Sequence, residues 1–133
     1  MKKVIFLCFI LTMYFSGIAQ SQKKGNADQS TNKVEAFYFH NATRCVTCKA
    51  VEAEAKADLE SLYGTQVTFQ SLNLEDDATK PIAEKLQVSG QTLLIVKGDQ
   101  KINLTNEGFL YARTNPAKFK KVIKEKVDKL LEL

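Results

Sequence analysis

Cys45-Val46-Thr47-Cys48 is the stretch whose reading decides the fold. Two thiols lie three residues apart, shortly after the apolar run Val34-Glu35-Ala36-Phe37-Tyr38-Phe39 and at the start of a helical pattern. A helix N-terminus carries backbone N–H groups without intrahelical partners, and with the helix dipole they favour an anion. A thiolate at Cys45 is therefore easier to form there than on a free cysteine. At this spacing Cys48 can attack a mixed disulfide on Cys45 and release the bound partner.

Working outward, Val34–Phe39 is aromatic and β-branched and reads as a largely buried strand. From Cys45 to Tyr63 the pattern is helical, with Val51, Ala55, Leu59 and Leu62 on one stripe and Glu52, Glu54, Lys56 and Glu60 off it. Gly64 is the natural stop. Val67 to Leu74 alternates as a second strand and leads into Glu75-Asp76-Asp77, an acidic run that suits a helix start. A short helix is expected from Pro81 to Gln87, with proline in its first turn. Leu93-Leu94-Ile95-Val96 is a buried strand, Lys97-Gly98-Asp99-Gln100 a hairpin turn, and Lys101 to Thr105 the returning strand. Asn115-Pro116 caps a last helix with the stripe Phe119, Val122, Ile123, Val127, Leu130 and Leu131. The order is β-α-β-α-β-β-α. Two early crossovers imply parallel neighbours and the hairpin an antiparallel edge. The expected class is an α/β three-layer sandwich around a mixed four-stranded sheet.

The first 19 residues read as a signal peptide rather than as fold. Lys2 and Lys3 precede an apolar run from Val4 to Ile18, and Gly17-Ile18-Ala19 fits cleavage after Ala19. At roughly 15 residues the run is short for a membrane span of about 20. Cys8 sits mid-run with no small residue before it, which does not suit a lipoprotein signal. Residues 20–32 have no apolar anchors and read as a flexible tether, leaving 33–133 for one domain. Cleavage removes two lysines and one of three cysteines, lowering the formal net charge from +4 by two units. No clustered basic face argues for nucleic acid. Both remaining cysteines lie in the one motif. A staple between them would close almost no loop, so the pair is a poor cross-link and a good redox couple.

The chain resembles the thioredoxin-like superfamily over Val34 to Leu133. The resemblance rests on Phe37–Phe39, Cys45–Cys48-Lys49, Leu72-Asn73-Leu74-Glu75, and Thr92-Leu93-Leu94 with the Gly98 turn. More narrowly, Tyr38-Phe39-His40-Asn41 with Arg44-Cys45-Val46-Thr47-Cys48-Lys49-Ala50-Val51-Glu52 resembles short exported chains called nitrophenyl compound nitroreductase subunit (ArsF family). That label does not imply nitro reduction here, because the reaction needs a flavin or similar carrier and no dinucleotide-type glycine motif is present. No cofactor is expected. The resemblance implies a three-layer sandwich lacking thioredoxin's extra N-terminal strand and helix. It also implies a substrate groove at Gly90, Gln91 and Thr92, where thioredoxins carry a cis-proline. With Gln91 in that slot a trans peptide is expected. The buried acid of thioredoxins falls at Tyr38, which is no base near neutral pH, and Arg44 replaces a tryptophan.

Cys45 is the expected nucleophile and Cys48 the resolving thiol. Arg44 beside Cys45 would lower its pKa by charge proximity, or would simply be solvated. His40, the only histidine, reads as a loop residue in water, with a hydrogen bond to a thiolate or a place in a metal site as the other options. The leading expectation is an exported thiol–disulfide oxidoreductase or electron relay of a bacterial periplasm or envelope. It would act as a monomer on protein disulfide or dithiol partners, among them a membrane-borne reductant. A second expectation is capture of a soft ion such as Cu(I) or As(III) by the two thiolates. No structural metal site is assigned, since zinc needs four ligands. A third is a non-catalytic binding module using the Gly90–Thr92 groove.

Overall fold

The structure, a computed structural model, describes residues 33–133. The leader and tether expected over residues 1–32, with Cys8, lie outside the described residues. Strand β1 covers Val34–His40, helix α1 Val46–Tyr63, a single 3-10 turn Gly64–Gln66 and strand β2 Val67–Asn73. Helix α2 follows over Lys80–Leu86, then β3 Thr92–Lys97, β4 Gln100–Asn103, α3 Thr105–Tyr111 and α4 Pro116–Leu131. The sheet order is β2-β1-β3-β4.

β1 and β2 pair parallel, from Val34 opposite Val67 to His40 opposite Asn73. β1 and β3 pair antiparallel, with Phe39 opposite Thr92, and the β3–β4 hairpin is antiparallel. The expectation that both early crossovers give parallel neighbours is therefore corrected at β3. Helix length explains the outcome. At 18 residues α1 is about 27 Å long, enough to carry the chain back along a 7-residue strand of about 23 Å. At 7 residues α2 spans only about 10 Å. The chain leaves α2 near the end of the sheet where β2 finished, and β3 starts there and runs the other way. Thr92 thus sits at the same end as His40 and the cysteine pair.

The strands bury both faces of the sheet. Val34, Ala36 and Tyr38 of β1, with Leu93 and Ile95 of β3, pack against Val51, Ala55 and Leu59 of α1 and Phe119, Ile123 and Val127 of α4. Phe37, Phe39, Leu94 and Val96 point the other way, toward Ala83 and the partly buried Ile82 and Leu86 of α2. Removing apolar area from water on both faces is the main stabilising contribution, roughly 25 cal/mol per Å² buried. It also explains why β1 and β3 read as near-continuous apolar runs.

The expected punctuation is present. Asn115 caps α4 by accepting from Lys118 N–H at 3.0 Å. Gly98 takes φ 58° in the hairpin turn, a conformation that costs other residues. Two expectations need correction. The segment after β4 was not expected to be helical, but α3 forms there. Its one buried position, Gly108, lies four residues from each of the buried cap residues Leu104 and Ala112, and two of these three are too small to register in an apolar stripe. His40 is the last residue of β1 rather than a loop residue, its ring 6.0 Å from that of Tyr38.

Candidate active site: a disulfide at a helix start

Cys45 is the N-cap of α1, with extended backbone (φ −73°, ψ 165°). Its Sγ accepts from Cys48 N–H at 3.1 Å, the bond a serine or aspartate cap would make. The sulfur thus sits where the unpaired N–H groups of the first turn converge, and no acidic residue in that turn competes for them. A Cys45–Cys48 disulfide is formed, with the two Cα atoms 5.0 Å apart. Cys45 is exposed, whereas Cys48 faces the core and is 5% exposed. Val46, between them, is 69% exposed.

Four positions around the pair were legible as candidates. Arg44 is half-buried and ion-paired with Glu52, further along α1. Its charge is therefore shared with a carboxylate close to the sulfurs. Gly90 and Thr92 frame the turn into β3, with Thr92 Oγ1 donating to Gly90 O at 2.9 Å. A Cβ at Gly90 would meet nothing within 4 Å, so the space over this turn is open. Gln91 points inward: its Oε1 lies 3.5 Å from Cys48 Sγ, and its Nε2 donates to the Tyr38 hydroxyl at 2.6 Å. No peptide among the described residues is cis.

Tyr38 completes this cluster. Its hydroxyl, buried under the first turn of α1, donates to Cys48 O at 2.8 Å. Burial pushes the phenol pKa up, against the lowering effect of the Gln91 hydrogen bond, so the group stays protonated near neutral pH.

Sequence reasoning missed two residues that hold the site. Arg113, just beyond α3, reaches Thr47 with Nη1 3.5 Å from Thr47 Oγ1, bringing a cation to the exposed side of the motif. By sequence Glu75 suits a helix start. Instead its Oε1 accepts from Ala42 N–H at 2.8 Å and ties the loop before Cys45 to the end of β2. His40 Nδ1 lies 2.9 Å from Asn41 O. Among the described residues no group of three or more His, Cys, Asp or Glu is placed to hold a metal ion.

No protein-family model matches this chain, and no curated protein matches it. Among solved structures it is similar to Trxlp, a thioredoxin-like protein from Edwardsiella tarda EIB202. The TM-score is 0.51 at 18% identity, covering 71% of this chain and 85% of that one. A structure described as that of a malarial protein aligns with a TM-score of 0.48 at 18% identity, over 71% of this chain and 97% of the other. The mixed four-stranded sheet, the helices on its two faces and the likeness to Trxlp give one conclusion: this chain has a thioredoxin-like fold, with its Cys-x-x-Cys disulfide at the start of the first helix.

Proposed function

We propose that this chain is an exported thiol–disulfide oxidoreductase or electron relay acting on protein partners. The observation that carries the reading is the asymmetry of the pair: Cys45 exposed at the cap of α1, Cys48 buried behind it. In the dithiol form the Cys45 thiolate attacks one sulfur of a partner disulfide. The Cys45–partner bond forms, and the partner's other sulfur leaves and takes up a proton. Cys48 then loses its proton and attacks Cys45 Sγ, and the partner's second sulfur leaves as a thiol. Two electrons and two protons pass from the cysteine pair to the partner, leaving Cys45–Cys48 oxidised. The reverse sequence oxidises a partner dithiol.

Export is supported by Lys2, Lys3, the apolar run to Ile18 and the small residues before Ala19. It is supported too by the narrower resemblance around Tyr38–Asn41 and Arg44–Glu52. Among the described residues no helix is long and apolar enough to cross a membrane. The open turn at Gly90–Thr92, whose Gln91 reaches Cys48 Sγ, offers a place for a partner's backbone near the pair.

Cys48→Ala is the test. It removes the resolving thiol, so covalent complexes through Cys45 should accumulate in the native envelope. Recovering none, where a control thioredoxin traps its own partners, would overturn the reading. Elemental analysis of anaerobically purified protein separates it from capture of Cu(I) or As(III): substoichiometric metal with a reversible two-electron titration supports the relay.

A further inference from the structure

The cluster beneath the disulfide has a fixed sense. Tyr38 has one hydroxyl proton, and Cys48 O can only accept, so the 2.8 Å contact commits that proton to the carbonyl. The Tyr38 oxygen is then an acceptor for Gln91, and only the amide nitrogen of Gln91 can supply the proton across 2.6 Å. The carboxamide is thereby oriented without ambiguity, and its oxygen faces Cys48 Sγ at 3.5 Å. In the disulfide this is a contact between two electron-rich atoms. On reduction the sulfur gains a proton, and the same approach becomes an S–H···O hydrogen bond.

We infer that Gln91, aligned by Tyr38, holds the proton on the Cys48 thiol in the dithiol form and so enforces the division of labour between the two cysteines. A hydrogen bond accepted from the neutral form disfavours the charged form. A thiolate at Cys48 would face the lone pairs of Oε1 in a buried site. Cys45 has the opposite surroundings, with an N–H directed at its sulfur and solvent in front. Neither Gln91 nor Tyr38 takes up a proton near neutral pH. When Cys48 resolves a mixed disulfide, neither Gln91 nor Tyr38 therefore serves as the base that takes its proton. Gln91 touches a reacting atom, whereas Tyr38 acts through Gln91 and is a positioning residue.

Other charged groups surround the cluster without replacing it. From the loop and α1 come the Arg44–Glu52 pair and Lys49, which is exposed. From the end of β1 comes His40, and from beyond α3 comes Arg113, held at Thr47. Arg44, Lys49 and Arg113 would stabilise a thiolate and so oppose the effect assigned to Gln91; the Glu52 carboxylate, paired with Arg44, acts in the same direction as Gln91 and is left in place in every variant compared below.

The inference extends the proposed function, but its test needs no partner. In a Cys8→Ser, Cys45→Ser background Cys48 is the one thiol of the chain, and the pH midpoint of its alkylation in the folded protein reports its pKa. Gln91→Met keeps the side-chain length and removes the acceptor, so the midpoint should fall by roughly half to one unit. Tyr38→Phe removes only a hydroxyl and frees the carboxamide to turn its N–H₂ toward the sulfur, so the midpoint should fall at least as far. Gln91→Glu places a carboxylate there and should raise it. A midpoint unchanged in Gln91→Met, or raised in Tyr38→Phe, overturns the inference. Failure to trap partners with Cys48→Ala would leave these midpoints untouched, so the two readings fail separately.

Discussion

At the N-terminal end of α1 the Tyr38 hydroxyl donates to Cys48 O and accepts a hydrogen bond from Gln91 Nε2. At the C-terminal end of the same helix Tyr63 also uses its hydroxyl to reach across the core. It lies 3.1 Å from Lys124 O and 2.7 Å from Asp128 Oδ1, both on α4. Around the first tyrosine the groups that touch the sulfur are neutral. Around the second they are charged: Asp128 bonds Lys124, and the buried Asp58 pairs with Lys120 at 3.6 Å. Burial and the Asp128 carboxylate push the Tyr63 phenol far above its ordinary range. The Lys124 hydrogen bond, then that of Tyr63, holds Asp128 below the usual carboxylate value. One end of α1 keeps carboxylates away from direct contact with a buried sulfur, and the other uses them to fasten two helices. Similar hydroxyl-to-carbonyl geometry thus serves different chemistry, according to whether the third partner can ionise.

The largest effect that tests this contrast is on exchange itself. Cys45→Ser should lower disulfide exchange with a model disulfide substrate by on the order of 100-fold or more, with the thermal midpoint of the reduced protein hardly moved. Tyr63→Phe should do the reverse. Removing a buried hydroxyl bonded to a carboxylate costs roughly 1.5–3 kcal/mol in denaturant unfolding, while exchange by the surviving folded protein stays at the parent rate. If Tyr63→Phe slows exchange as much as it weakens the fold, the two ends are not separable.

Gly108→Ala tests how α3 is held at the redox end. An added Cβ would come 2.8 Å from Val51 Cγ1. Val51 is fully buried and its β-branched side chain is stiff, so it cannot easily move aside. Overpacking of this kind costs about 1–3 kcal/mol, against a helix-propensity gain of up to about 1 kcal/mol. A net loss of about 1–2 kcal/mol is expected, with altered exchange kinetics because α3 leads directly to Arg113 at Thr47. A stabilised variant would show that α3 and α1 pack more loosely than the contact implies.

The sequence foretold the elements better than their directions or partners. The apolar run of β1, the stripe of α1, the Gly98 turn and the Asn115 cap are local signals, and each lies where its residues place it. The direction of β3 depends on comparing the length of α2 with that of β2, which periodicity does not report. α3 was hidden because its buried face includes Gly108 and Ala112. At the site, Cys45 and Cys48 were legible from spacing and Gln91 from its slot in the fold. What Gln91 does was not legible, because Tyr38 lies 53 residues away in sequence and only the antiparallel β3 brings them together.

The smallest effects are in pH dependence at the far end. Asp58 is raised above 3.8, chiefly by burial, with Lys120 opposing, and its Oδ2 has no hydrogen-bond partner. The folded state therefore holds that proton more tightly than the unfolded chain, and stability falls as pH rises through the interval above 3.8. Asp128 has the opposite sign: its contribution is present above 3.8 and is lost as pH falls through its lowered folded value. Asp58→Asn should gain stability on the parent by about 1 kcal/mol between pH 4 and 7, and Asp128→Asn should lose on it over the same range. Urea unfolding at several pH values reads both. Equal pH profiles for the two variants would remove the assigned roles.

Competition between the two thiols tests the account most directly. The reduced protein is treated near neutral pH with less than one equivalent of an alkylating reagent, and the modified peptides are quantified by mass spectrometry. The exposed cap sulfur of Cys45 should carry at least about ten times the label of Cys48. Equal labelling, or preference for Cys48, would contradict the division of attack and resolution on which the proposed mechanism stands.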